Sequence, residues 1–295
     1  MLKGLFRISQ GQHVPSPSSS FPLILDSVTE LPARAPGPVL LTGSHGGVYA
    51  AQFALARGIR AALFHDAGIG RDNAGIACLE IFARLGLPCA AVDSWSARIG
   101  NAGDMMERGS VSHANREAGA LGVEAGMGVV EALAAFQGNR AAPGAGELLE
   151  GITPGEETRA ALDIKGARRP VWLLDSASLI CARDAGAVVV TGSHGGLPGN
   201  DPARAARAHL FCALFNDAGI GRDEAGVRRL GALEERGIAG AAVAAQSACI
   251  GEAASTLETG ILSRVNALGV RLGGAEGMTA REFVELAARH DTGRG

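Results

Sequence analysis

The chain has 295 residues, which is longer than most single domains and favours either one large domain or two joined halves. With 47% hydrophobic and 19% charged residues, the composition is typical of a compact globular protein and excludes a disordered chain. A net charge of −3, without clusters of basic and aromatic residues, excludes nucleic acid as an expected partner.

The apolar runs are too short for a membrane span, since none approaches 18 uninterrupted residues. The five cysteines show no CxxC spacing and mostly lie in apolar runs, which predicts reduced core thiols instead of disulfides or zinc ligands. We therefore predict a cytoplasmic protein with no membrane partner. Homo-oligomerisation stays open, and no pattern identifies a cofactor.

In chain order, short apolar runs alternate with amphipathic stretches, which is typical of parallel strands joined by helices. In the first part of the chain this pattern predicts strands at 22–26, 38–42, 60–65 and 88–93, with helices at 48–57, 73–85, 102–120 and 128–136. In the second part it predicts strands at 171–175, 187–191, 210–216 and 238–244, with helices at 201–208, 224–236, 253–269 and 279–290. A short helix is predicted at 156–162.

Two glycine-rich motifs occur twice. TGSHGG stands at residues 42–47 and again at 191–196, and ALFHDAGIGRDNAG (62–75) matches ALFNDAGIGRDEAG (213–226). These matches keep one register apart from a two-residue insertion, which predicts a tandem duplication. The fold class predicted is therefore α/β, with two duplicated halves, mostly parallel sheet or sheets, and a pseudo-twofold arrangement.

The duplication also sets the expected domain boundaries. The predicted parts are an N-terminal tail (1–20), a first repeat unit (21–136), a linker (137–169) and a second repeat unit (170–295). Equivalent loops of the two units are expected to face one another across a cleft. Because ligands of parallel sheets bind where strands end, the repeated polar motifs after the strands are the candidate site.

The candidate catalytic residues are a histidine and an aspartate from each unit: His45, Asp66, His194 and Asp217. Imidazole suits acid-base chemistry near neutral pH or metal binding, and a carboxylate can orient it or take a proton. The alternative for each histidine is a hydrogen bond within its own loop. Ser, His and Asp are also the residue types of a hydrolase triad, but GxSxG is absent and the adjacency of Ser44 and His45 argues against one.

The glycines of TGSHGG predict a backbone with positive φ, whose N–H groups would form a nest for a carboxylate, phosphate or oxyanion.

Cys249 precedes a predicted helix, where its thiol pKa could be lowered; the alternative is a small residue in a turn. The predicted substrate-binding residues are Ser44, Gly46, Gly47, Arg98, Ser193, Gly195, Gly196, Ser247 and Cys249.

The two units differ at some polar positions. His65 aligns with Asn216, and Arg98 with Cys249. Identical independent sites would not need such differences, so they favour one composite site to which each unit contributes unlike groups, placed nearer to the first unit.

These observations predict an enzyme acting on a small polar metabolite that carries a carboxylate or amide, and we favour a hydrolase using His and Asp acid-base groups between the repeats. The alternatives are a binding protein for an anionic metabolite that has no catalytic activity, and an isomerase or lyase that needs no cofactor. A metal-dependent variant lacks support from spacing, because no HExxH pattern occurs.

Overall fold

A computed structural model describes residues 21–33, 39–138 and 155–291. The predicted tail (1–20) and residues 139–154 of the predicted linker lie outside this part of the chain. The strands are β1 (Leu23–Leu25), β2 (Val39–His45), β3 (Ala61–His65), β4 (Cys89–Val92), β5 (Val111–Ala114), β6 (Arg159–Leu162), β7 (Val171–Leu174), β8 (Val188–His194), β9 (Cys212–Asn216), β10 (Ala239–Val243) and β11 (Leu262–Val265). The α-helices are α1 (Val48–Ala56), α2 (Cys78–Ala83), α3 (Ala102–Arg108), α4 (Arg116–Gly119), α5 (Val129–Gly138), α6 (Arg229–Glu235), α7 (Ala253–Thr259), α8 (Ala267–Arg271) and α9 (Ala280–Arg289).

The described strands form two separate sheets. The first has the order β1-β2-β3-β4-β5, and the second has the order β11-β10-β9-β8-β7-β6. In the first sheet β1 to β4 are parallel and β5 is antiparallel to β4. In the second sheet β7 to β10 are parallel and β11 is antiparallel to β10. The prediction of an α/β fold with mostly parallel sheets is confirmed.

The central strands are buried on both faces, which explains why their sequences are continuously apolar instead of alternating. Every residue of β3, β9 and β10 is buried. Apolar clusters lie on both faces of each sheet. A fifth, smaller cluster joins the two halves and consists of Ala67, Ile99, Ala218, Ala225 and Ile250.

The long helices predicted at 102–120 and 253–269 are wrong, because each is interrupted by an antiparallel edge strand. Gly109 and Gly260 end α3 and α7 with extended backbone. A Cβ atom at Gly109 would lie 2.5 Å from the Met105 carbonyl oxygen, and one at Gly260 would lie 2.2 Å from that of Thr256. Only glycine permits this close reversal into β5 and β11.

Two further helix predictions are also wrong. Residues 201–208 contain a 3-10 turn at Pro202–Arg204 and no α-helix, so the second half has no counterpart of α1 there. Residues 156–162 contain β6, which pairs with β7 and extends the second sheet into the predicted linker. Among the residues described, no helix is long and apolar enough to cross a membrane.

Candidate functional site

The two TGSHGG loops place a histidine at the end of β2 and of β8. In both loops the second amide after the histidine folds back on the ring: the Gly47 N–H donates to Nδ1 of His45, and the Gly196 N–H donates to Nδ1 of His194, each at 3.1 Å. Because Nδ1 accepts a hydrogen bond, the neutral ring carries its proton on Nε2.

The two rings meet between the halves. Their centroids are 6.4 Å apart in an edge-to-face arrangement. Each ring also lies against a glycine of the other half, since a Cβ atom at Gly251 would lie 3.5 Å from Cε1 of His45, and one at Gly100 would lie 3.4 Å from Cε1 of His194. The equivalent loops therefore face one another across a shared cleft, to which both halves contribute.

Burial keeps both imidazoles neutral. It lowers the pKa of His45 to about 4, with a smaller contribution from His65. It also lowers the pKa of His194 well below its ordinary value, and the positive charge of Arg229 acts in the same direction. At neutral pH each ring is consequently a donor through Nε2–H, and no protein group among the described residues accepts that hydrogen.

The cleft is a small cavity of about 80 Å³ that is lined mostly by polar residues. It is lined by Ser27, Val28, Thr29, Ser44, His45, Tyr49, Ala50, Glu157, Asp175, Ser176, Ser193, His194 and Gly251. A ring that presents Nε2–H has no lone pair for a metal ion, and the described residues contain no group of three or more His, Cys, Asp or Glu side chains placed to hold one. The geometry favours hydrogen bonding to a ligand oxygen.

The serine beside each histidine hydrogen-bonds its loop to the 3-10 turn that follows β1 or β7 in the same half. Ser44 Oγ accepts the Val28 N–H at 2.9 Å, and Ser193 Oγ accepts the Ala177 N–H at 2.8 Å. Neither hydroxyl can donate to the adjacent ring, because Nδ1 is taken by the glycine amide and Nε2 carries a proton. Ser44 and Ser193 therefore have no base among the described residues to activate them.

The prediction of a glycine nest in TGSHGG is wrong, since none of its glycines has positive φ in either half. Their amides are used internally: the Gly46 N–H donates to the carbonyls of His65 and Gly75, and the Gly195 N–H to that of Asn216. These glycines are needed for close approach instead. A Cβ atom at Gly46 would lie 2.5 Å from the sulfur of Cys78.

Only Ser44, His45, Ser193 and His194 of the cleft lining were predicted from the sequence. The residues that were missed include Tyr49 on α1 and Glu157 just before β6. Burial raises the pKa of Glu157, while the neighbouring hydroxyls of Ser176 and Tyr49 act in the opposite direction and Asp175 raises it again. Burial and the Glu157 carboxylate raise the pKa of the Tyr49 phenol. No motif marks either residue, because neither belongs to the repeated sequence.

The second repeated motif, DAGIGRD, forms the contact between the halves. Four successive residues have positive φ in each copy, Ala67 to Gly70 and Ala218 to Gly221. A Cβ atom at Gly68 would lie 2.7 Å from the Cα atom of Gly219, so the two loops touch through their backbones. The following amides donate across the contact, from Arg71 to the Ala245 carbonyl and from Arg222 to the Ser94 carbonyl.

Asp66 and Asp217 hold these interface loops in shape. Asp66 Oδ1 accepts the N–H groups of Gly68 (2.9 Å) and Ser94 (3.0 Å). Asp217 Oδ1 accepts those of Gly219 and Ala245, both at 2.8 Å. Both aspartates are buried, and neither lines the histidine cleft. The structure therefore brings the two predicted histidines together but does not bring the two aspartates to them.

Arg98, Cys249 and Ser247 lie away from the cleft as well. The Arg98 guanidinium pairs with Asp223 of the other half at 2.8 Å, and the Cys249 thiol faces Asp72 at the equivalent place. Burial raises the pKa of that thiol, which is opposite to the direction expected from the helix start. Ser247 donates its hydroxyl to the Ala244 carbonyl and accepts the Ile261 N–H.

The difference between His65 and Asn216 is structural. His65 accepts the Ala67 N–H at Nδ1 and donates from Nε2 to the Ala97 carbonyl. Asn216 makes the two equivalent hydrogen bonds, to Ala218 and Ala248, through its amide group. The Asn216 amide and the His65 imidazole thus make equivalent hydrogen bonds in the two halves.

Comparisons of the chain with protein-family models, with curated proteins and with solved structures found no match.

Proposed function

We propose that the histidine cleft is the active site of an enzyme that acts on the carbonyl group of a small polar metabolite, such as an amide, an ester or a carboxylate. The observation that supports it is the pair of neutral imidazoles, one from each half, with Nε2–H groups that have no described protein acceptor. Neutral imidazole donors can polarise a carbonyl and stabilise the negative charge that develops on its oxygen.

Glu157 is the proton-transferring group in this proposal. It lines the same cleft as the two histidines, and its raised pKa brings it closer to neutrality, where a general base works best. His45 and His194 stay catalytic, as donors, whereas Asp66 and Asp217 become positioning residues of the interface loops.

The favoured reaction is hydrolysis. Glu157 takes a proton from a water molecule, the oxygen of that water bonds to the carbonyl carbon, and the charge on the carbonyl oxygen is held by the imidazole donors. As the bond to the leaving group breaks, Glu157 returns the proton to it. Neither serine serves as nucleophile, since no base contacts Ser44 or Ser193.

A second candidate is an isomerase or lyase that moves a proton next to a carbonyl without a cofactor. It is favoured because neither Ser44 nor Ser193 contacts a base among the described residues, and a carboxylate base and an electrophilic imidazole suffice for that chemistry. Analysis of the products distinguishes it from hydrolysis.

The matching sequence and the reciprocal contacts of both repeated loops support the further proposal that the two halves arose by tandem duplication and are related by a pseudo-twofold axis. Under this proposal, the axis passes between Gly68 and Gly219 and between the two histidine rings. One cleft would then serve the whole chain.

The test is a thermal-shift screen against small carboxylates, amides and esters, followed by turnover assays of each hit. A ligand at about a hundred times its dissociation constant adds roughly 2.7 kcal/mol to the free energy of unfolding. We expect a shift that is lost in His45→Ala and His194→Ala, which remove the Nε2–H donor from the cleft. The control is His113→Ala, which replaces the exposed histidine of β5.

Glu157→Gln separates catalysis from binding. We expect it to keep the ligand-induced shift and lose turnover. A binding protein without catalytic activity would give no turnover with any hit, and ligand shifts that persist in both histidine variants would contradict the proposed site.

A further inference from the structure

A second cavity opens directly beside the histidine cleft, on the side of the second half. It has a volume of about 240 Å³ and shares Ser27, Thr29, Ser176, Ser193 and His194 with the cleft. Its remaining wall includes three arginines, Arg204, Arg207 and Arg229. The proposed function assigns it no role.

Arg229 is the most unusual of the three, because its charge is buried without a carboxylate. It is 4% exposed, and its terminal nitrogens donate to the carbonyls of Gly196 (2.8 Å), Ala205 (2.7 Å) and Arg204 (3.2 Å). Its guanidinium lies 4.7 Å from the ring centroid of Phe215. Burial lowers the pKa of Arg229 to about 10, so the group is still charged at neutral pH.

One donor of this buried group has no partner, since Nε of Arg229 lies out of contact with water and makes no hydrogen bond among the described residues. A buried cation held only by carbonyl dipoles is costly unless an anion approaches it. Carbonyls hold the guanidinium in place but do not neutralise its charge.

The other two arginines add to the positive charge. Arg204 is paired with Glu30 at 2.6 Å. Arg207 donates to the Ser178 carbonyl at 2.8 Å and has no carboxylate partner in the described chain. Of the three guanidinium charges around this cavity, only one is therefore neutralised.

The residues that correspond to this wall differ in the first half. Cys78 aligns with Arg229, and α1 stands in the sequence where the second half has the turns Pro198–Asn200 and Pro202–Arg204. The wall is therefore particular to the second half. The hydroxyl groups of Ser27 and Ser178 line the same space and can donate to oxygen, whereas the Ser176 hydroxyl donates to Ser178 Oγ.

We infer that this arginine-lined cavity binds a phosphate monoester group of the ligand whose carbonyl group lies in the histidine cleft. Guanidinium groups and hydroxyl donors around a net positive charge match a tetrahedral dianion. The link between the two cavities rests on the proposed function, whereas the anion site itself does not. The substrate class it defines is a small phosphorylated carbonyl compound.

The test uses inorganic phosphate as the probe, titrated into the full chain at constant ionic strength and followed by calorimetry. We expect saturable binding that Arg207→Gln weakens roughly tenfold, the usual loss for one charge-assisted contact. Arg207 is exposed, so the variant is expected to fold. The control is Arg289→Gln, which removes the same charge from an exposed arginine that also donates to a carbonyl, outside this cavity.

His45→Ala separates this inference from the proposed function. Phosphate binding that survives His45→Ala but weakens in Arg207→Gln supports an anion site distinct from the imidazole donors, even if no substrate is turned over. Equal weakening in Arg207→Gln and Arg289→Gln would show only a general effect of net charge and would overturn the inference, as would the absence of saturable binding.

Discussion

The two repeated loops, TGSHGG and DAGIGRD, are equally alike between the halves but have opposite physical characters. In DAGIGRD both aspartates accept backbone N–H groups, and the glycines touch across the interface. In TGSHGG the Nε2–H of each histidine has no acceptor among the described residues, and both histidines line the cleft. DAGIGRD therefore builds the interface between the halves, whereas TGSHGG supplies the candidate site.

The largest expected effect comes from Gly68→Ala. The new Cβ would overlap the backbone of Gly219 at positive φ, so we expect a loss of about 3 kcal/mol or more in the free energy of unfolding, measured by urea denaturation. Gly86→Ala is the matched control, because Gly86 has a similar φ of +65° but no atom within 4 Å, and should cost only about 1 kcal/mol. Equal costs would mean that the DAGIGRD loops do not form a tight interface.

The second largest effect is on the pH dependence of the free energy of unfolding. It distinguishes the TGSHGG loop, through His45, from DAGIGRD. His45 has a folded pKa of about 4 against 6.5 when unfolded, so below pH 6.5 the unfolded chain binds the proton first. The neutral ring contributes up to about 3 kcal/mol to the free energy of unfolding. This contribution is fully present above pH 6.5 and is lost as the pH falls toward 4. His45→Asn should flatten this part of the unfolding profile. An unchanged profile would contradict a buried neutral ring.

A smaller effect tests whether His65 belongs to the structure or to the chemistry. His65→Asn should cost about 1 kcal/mol or less, because Asn216 makes the same hydrogen bonds in the other half. His65→Leu leaves the Ala97 carbonyl and the Ala67 N–H unpaired and should cost about 2 kcal/mol more. Neither change should abolish ligand binding at the cleft. Loss of binding in a stable His65→Asn protein would assign His65 to the site.

The smallest effect is expected for the ion pair between Arg98 and Asp223. Both side chains reach solvent, so a double-mutant cycle should give a coupling close to experimental error, with ligand shifts unchanged in Arg98→Ala. Loss of the ligand-induced thermal shift in a stable Arg98→Ala protein would show that Arg98 binds substrate. It would also contradict the distinction between the interface residues and the histidine cleft.

Much of the fold could be predicted because strands buried on both faces leave continuous apolar runs, as in β3 and β9. The edge strands β5, β6 and β11 were missed, since they are short and only partly apolar and follow helical patterns. Gly109 and Gly260 were the available signals for two of them. In both halves a glycine that stops the helix is followed by a strand of four residues.

For the candidate site, the sequence identified the two histidines but not their chemical state. The hydrogen bond that Nδ1 accepts from the glycine amide two residues later depends on loop geometry. Positive φ was predicted for TGSHGG but occurs in DAGIGRD. Asp66 and Asp217 were attractive candidates because a strand-end carboxylate suits catalysis, yet the same position suits a bond to loop amides. Tyr49, Glu157 and Arg229 lie outside the repeated motifs, so only the packing of the halves brings them to the two cavities.

The most direct test of the account is the protonation state of His45 and His194 in solution. Nitrogen-15 NMR of the imidazole rings at neutral pH, with assignment through His45→Asn and His194→Asn, reports which nitrogen carries the proton. The account predicts two neutral rings protonated on Nε2, whose signals do not titrate above pH 5 and shift together when a ligand fills the cleft. Rings that are charged at neutral pH, or protonated on Nδ1, would contradict it.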